Sequence, residues 1–118
     1  MTLIVSTRAE PRHIRFEVDG RWQYGDALKL AYLVKAAQAR SALDLLLIDL
    51  QRVTGEPGSD EKFMVCDRLL RVFRAPVHVA LVGEARLIDS DTAVTVAAEA
   101  PGMAVFAREG DALKWLMA

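Results

Sequence analysis

The stretch LDLLLIDL, Leu43 to Leu50, constrains the fold more than any other part of the chain. A β-strand sends successive side chains to opposite faces, so a run that is apolar at consecutive positions must be covered on both sides. That excludes an edge strand and a sheet with one wet face. It predicts a central strand in a sheet that carries helices.

The flanking segments supply the rest of such a sheet. HIRFEV, His13 to Val18, alternates Ile14, Phe16 and Val18 against Arg15 and Glu17, the pattern of a half-buried strand. A shorter strand is expected at Leu3 to Ser6. Asp19-Gly20 reads as a hairpin turn, with RWQY as a return strand or a loop. Asp26 can cap the next segment, in which Leu30, Leu33, Val34 and Ala37 recur at helical spacing while Lys29, Lys35 and Arg40 sit off the stripe. This is an amphipathic helix of roughly four turns.

After the central strand, QRVTGEPGS is a loop broken by Gly55, Pro57 and Gly58. Ser59 precedes a second helix, with Asp60 and Glu61 where the helix dipole favours acids and Phe63, Cys66, Leu70 and Phe73 as its apolar stripe. Pro76 ends that helix. VHVALVG is another buried strand, the segment after LIDS is helix-like, MAVFA is a short strand, and EGDALKWLMA closes the chain as a helix with Leu113 and Leu116 inward and Trp115 half-buried. Strands alternating with helices predict an α/β fold: a single domain over residues 1–118, with a mixed sheet of about five strands flanked by helices.

Composition narrows the function classes. A net charge of −1 argues against a nucleic-acid surface, which needs many uncompensated cations. Cys66 is the single cysteine, so no internal disulfide and no cysteine-built zinc site can form. There is no signal-peptide pattern and no run of about 18 apolar residues, so a cytoplasmic protein without a transmembrane segment is expected.

The candidate chemistry is sparse. His13 and His78 are both placed in strands, with no local nucleophile and carboxylate to complete a triad. GEPG matches neither the Walker nor the dinucleotide pattern. Cys66 lies on an apolar stripe, where a thiol is inert. Asp89 and Asp91 flank a helix start, where Asp is favoured anyway. Asp49 ends a buried strand, near where α/β sheets place ligands, and its alternative role is to hydrogen-bond the loop that follows. Arg68, Arg71 and Arg74 form a ridge on the second helix, either a solvated face or an attraction for anionic lipid. No metal and no cofactor are expected.

The order of elements, together with Leu47-Ile48-Asp49, Val79-Ala80-Leu81-Val82-Gly83 and the Phe106 to Trp115-Leu116 ending, resembles the SpoIIAA-like branch of the STAS (sulfate transporter and anti-sigma factor antagonist) domains, grouped with the SEC14-type lipid-binding fold. The resemblance covers roughly residues 13 to 117. In that branch a tryptophan often follows the VG strand; here EARLID stands instead. The resemblance implies a non-enzymatic regulatory module with a protein partner, or alternatively a binder of lipid or another hydrophobic ligand at a membrane surface.

In anti-sigma factor antagonists the phosphorylated serine caps the helix after the central strand, in an Asp-Ser-Ser-Gly type turn. Leu87 to Ser90, LIDS, matches the letters but follows the wrong strand. The turn after LLLIDL holds Thr54, Gly55, Gly58 and Ser59. By position, loop 51–60 and the helix start after it are the expected partner face, with Thr54 or Ser59 as phospho-acceptor and Ser90 as the weaker alternative, most simply a helix cap. A homodimer through the N-terminal edge strand is compatible with the sequence.

Overall fold

In the computed structural model the described residues are 3–73, 76–84, 86–88, 91, 94, 98–99 and 102–118, without the side chains of Leu70 and Arg71. Among them are five strands, β1 (Ile4–Ala9), β2 (Ile14–Arg21), β3 (Leu45–Thr54), β4 (His78–Val82) and β5 (Met103–Phe106), and three helices, α1 (Asp26–Ser41), α2 (Ser59–Val72) and α3 (Glu109–Met117). The strands lie side by side in chain order, β1 antiparallel to β2 and the others parallel. The segment after LIDS falls mostly outside the described residues.

Periodicity sets the two faces. Ile14, Phe16 and Val18 of β2, Leu46, Ile48 and Leu50 of β3, and Val79 and Leu81 of β4 form one core with Ala27, Leu30, Ala31, Val34 and Ala37 of α1 and Val65, Cys66 and Leu69 of α2. Leu47, Ala80 and Val82 face the other way, onto Ala112 and Leu116 of α3. The apolar run at Leu43 to Leu50 is therefore covered on both sides, as its pattern requires.

Several local expectations are corrected. Asp19-Gly20 is not a turn: β2 continues through it to Arg21, and the hairpin lies at residues 10–13, where Glu10 N donates to His13 O at 2.8 Å. Gly20, at φ 117, lies just past the register shift between Glu17 and Asp19, where its left-handed backbone suits glycine. His13 precedes β2 rather than lying in it, and only His78 is in a strand. Of the stripe expected on α2, Cys66 and Phe73 are buried, but Phe63 is 49% exposed, and Val65 and Leu69 are buried in addition, on a helix that packs on α1.

The face of β2 opposite the main core carries charge. There α3 packs chiefly on β3, β4 and β5. Where its cover ends, the Arg15 guanidinium meets three carboxylates: Nε donates to Glu109 Oε1 at 2.6 Å, Nη2 to Asp49 Oδ2 at 2.8 Å and Nη1 to Glu17 Oε2 at 2.9 Å. Arg52 adds a second cation, 3.0 Å from Glu17. Glu109 is the first residue of α3, so the same bond that neutralises Arg15 pins the start of that helix to β2.

Two members of this cluster, Arg15 and Glu17, are held towards their charged forms. The Glu109 hydrogen bond chiefly keeps Arg15 above its usual value. The Arg15 hydrogen bond, aided by Arg52, holds Glu17 below the usual 4.5. A carboxylate depressed in the folded state contributes stability above its ordinary value and loses it as pH falls through the folded value. The acid limb of a pH–stability curve, measured by urea unfolding below pH 4.5, is therefore expected to be shallower in Arg15→Met than in the native chain. At neutral pH Arg15→Met leaves the Asp49 side chain, 6% exposed, without its cation, an expected loss of about 3 kcal/mol. Arg15→Met combined with Asp49→Leu is expected to recover part of that loss, because the stranded charge is gone.

Candidate functional site

The parallel strands of an α/β sheet deliver their loops to one end, and there β3 runs on beside β2, whose Arg21 pairs with Thr54. It outruns β4, whose Val82 pairs with Asp49, by the five residues Leu50 to Thr54. A bulge accommodates this extension: Glu17 pairs with Asp49 but Asp19 with Arg52, one extra residue on β3. The core-facing positions accordingly step by two through Leu46, Ile48 and Leu50, then by three to Val53. Asp49 Oδ1 accepts from Gln51 N at 2.9 Å inside the bulge, so the carboxylate bonds the following backbone as well as Arg15.

Asp49 is consequently mid-strand, not at a strand end, and the loop expected over 51–60 shortens to residues 55–58. Asp49 belongs to the Arg15 cluster and is separated from Thr54, Gly55, Gly58 and Ser59, which the fold does bring together.

That turn is held from two sides. Trp22 N donates to Thr54 O at 3.0 Å, and Thr54 Oγ1 donates to Gly20 O at 3.3 Å, which extends the β2–β3 pairing to its tip. The chain then reverses at Gly55, φ 86, where an added Cβ would lie 3.4 Å from Arg21 Cγ. From the β4 side the Arg86 guanidinium donates to Gly55 O at 2.7 Å through Nη1 and to Val53 O through Nη2. One planar donor group thus bridges two carbonyls across the turn, and Glu84 Oε2 orients it at 2.9 Å.

Ser59 is exposed and is the first residue of α2. Gly58, not Ser59, occupies the cap position, and no side chain caps the helix. Asp26 likewise begins α1 behind Gly25 and does not cap it; its buried carboxylate accepts from Gln23 N at 2.8 Å. The acids around Ser59 are dispersed. Glu61 is 3% exposed and turns inward, where Oε1 accepts from Gly25 N and so ties the start of α2 to the start of α1. Glu56 lies 3.5 Å from Lys62. Asp60 is exposed beside Ser59.

Sequence reasoning missed Arg86, Trp22, Glu61 and Arg15 as determinants of this architecture. Arg86 sits in EARLID, where no spacing signals a clamp on a loop thirty residues earlier. Ser90 and Asp89 lie outside the described residues, as do Arg74 and the Arg71 side chain; of the arginine ridge only Arg68 is described, and it is half-buried, with its Nε shielded from solvent. Among the described residues no group of three or more His, Cys, Asp or Glu could hold a metal ion.

Arg86→Ala removes both donors. It is expected to cost about 1–2 kcal/mol and to speed amide hydrogen exchange at Thr54 to Glu56 while leaving β4 protected. Arg86→Lys is not expected to restore protection, since a single ammonium lacks the planar fork.

No protein-family model matches the chain, and no curated protein matches it significantly. Solved structures do. An anti-sigma factor antagonist from Mycobacterium paratuberculosis superposes with a TM-score of 0.68 at 15% identity, over 98% of this chain and 95% of that one. An uncharacterised protein of the DUF3478 family with a SpoIIAA-like fold, from Shewanella loihica PV-4, gives 0.57 at 19% identity, over 97% and 93%. With the five-strand mixed sheet and its helices on both faces, these likenesses show that the chain has the STAS-type, SpoIIAA-like fold.

Proposed function

We propose that this chain is a non-enzymatic regulatory module that binds a protein partner through the turn Thr54–Gly58 and the first turn of α2. The observation that carries this reading is the mechanical one: an exposed helix start, at the tip of the longest strand, behind a turn clamped by Arg86 and Trp22. A surface held this way is pre-organised, and binding to it loses little to ordering. The fold likeness supports the same reading, since one of the similar structures is described as an anti-sigma factor antagonist.

Ser59 is the favoured phospho-acceptor in this proposal. Its hydroxyl is exposed, whereas that of Thr54 is engaged with Gly20 O. A phosphate on Ser59 would meet the positive end of α2 and Lys62, with Glu61 turned away and Asp60 as the opposing charge. It would place a dianion in the middle of the partner face. No described helix is long and apolar enough to cross a membrane.

The test is affinity capture from the source cells with the full chain as bait. Ser59→Glu is expected to lower recovery of its specific partner about tenfold, equivalent to about 1.4 kcal/mol. Arg86→Ala is expected to weaken the same capture through the loosened turn. If the partner is recovered equally with the native chain, Ser59→Glu and a variant with residues 55–58 replaced by a longer glycine-serine loop, this face is not the binding surface.

A further inference from the structure

The outward face of α1 combines apolar exposure with a single sign of charge. Tyr24, just before the helix, is 84% exposed, Tyr32 60% and Leu28 37%. At about 100° per residue, Leu28, Tyr32, Ala36 and Ala39 share one arc, opposite the buried Leu30, Val34 and Ala37. Lys35 borders that arc on one side, Lys29 and Arg40 on the other, and all three are exposed. The only acid between residues 26 and 41 is Asp26, which is buried and bonded to Gln23 N. A chain with net charge −1 thus carries three cations and no exposed acid on one helix face.

We propose that the outward face of α1 docks on an anionic lipid bilayer. The charge is complementary to such a surface, where each Lys or Arg gains on approach and the attraction fades within a Debye length. The chemistry of the arc fits headgroup depth: tyrosines place a ring in the interface and a hydroxyl in water, and leucine is the one side chain seated deeper. Long lysine and arginine stems beside the arc can lie on the apolar surface with their charges in the headgroups. A protein partner fits this face less well, because lysine is depleted in the centre of protein–protein interfaces. The face is on a different helix from the arginine ridge of the sequence reading, and it does not depend on the partner turn at Thr54–Gly58.

Vesicle flotation tests the proposal with the full chain. The native protein is expected to float with mixed phosphatidylcholine–phosphatidylglycerol vesicles at low salt, to be released at high salt, and to stay behind with pure phosphatidylcholine vesicles. Lys29→Gln and Lys35→Gln are each expected to lower the partition coefficient about fivefold, equivalent to about 1 kcal/mol per cation, and Tyr32→Ser to lower it as well. Lys114→Gln, an exposed cation on α3, is the control expected to leave binding unchanged. Circular dichroism confirms that each variant is folded, which its surface position favours. Absence of flotation by the native chain, equal binding to uncharged vesicles, or undiminished binding by the combined Lys29→Gln and Lys35→Gln variant each overturns the proposal. Retention on polyglutamate beads without flotation also overturns it, and assigns the face to an acidic protein.

Discussion

One guanidinium holds together elements that are far apart in the chain. Arg15 on β2 binds Asp49 on β3 and Glu109 at the start of α3, residues 34 and 94 positions away. The apolar contacts of α3 involve β3, β4 and β5, and the Arg15–Glu109 bond ties its first turn to the β2 side of the sheet. Such a cluster is an uncertain source of net stability, because the desolvation of the ions opposes their attraction. Its effect is positional. An apolar surface tolerates sliding, whereas one planar fork serving three carboxylates fixes both the register of β2 on β3 and the seat of the helix.

The same carboxylate connects that cluster to the loop end of the sheet. Asp49 gives one oxygen to Arg15 and the other to Gln51 N at the bulge. The bulge re-phases β3, which lets Val53 point into the main core after Leu50 and so lets the strand run on to Thr54 as a paired, buried element. A strand without the extra residue would send Val53 to the opposite face and Arg52 into the core. The turn at Gly55 therefore stands where it does because of a backbone irregularity six residues earlier, stabilised by a side chain that faces away from the turn.

The legible parts of the sequence were those governed by one period. LLLIDL announced a two-sided strand, Ile14-Phe16-Val18 a one-sided one, and Leu30-Val34-Ala37 a packed helix face, and each pattern is local. What was not legible depends on contacts between distant segments. Asp19-Gly20 has the letters of a hairpin, but parallel pairing of Asp19, Gly20 and Arg21 with Arg52, Val53 and Thr54 outweighs the local turn preference. Phe63 has the spacing of a core residue on α2, yet it is exposed, while Val65 and Leu69 join Cys66 and Phe73 inside. Ser59 and Asp26 look like caps, but a glycine precedes each helix and takes that position. The candidate turn was located by element order, while the clamp that shapes it, Arg86, has no local signature.

The turn after β3 sorts its polar side chains by where each one points. Thr54 and Ser59 both stand in the turn after β3, but only one hydroxyl is free for chemistry: the backbone carbonyl of Gly20 accepts from Thr54. Asp49 and Glu61 are both acids near that turn in sequence, yet both are turned inward, one to Arg15 and one to Gly25 N, and neither adds charge to the exposed face. The surface left there is nearly neutral, with Glu56 against Lys62 and Asp60 beside Ser59. The outward face of α1 is an apolar arc bordered by cations. Glu61 joins the starts of the two helices that carry these surfaces, so the fold presents two chemically distinct faces from one rigid junction.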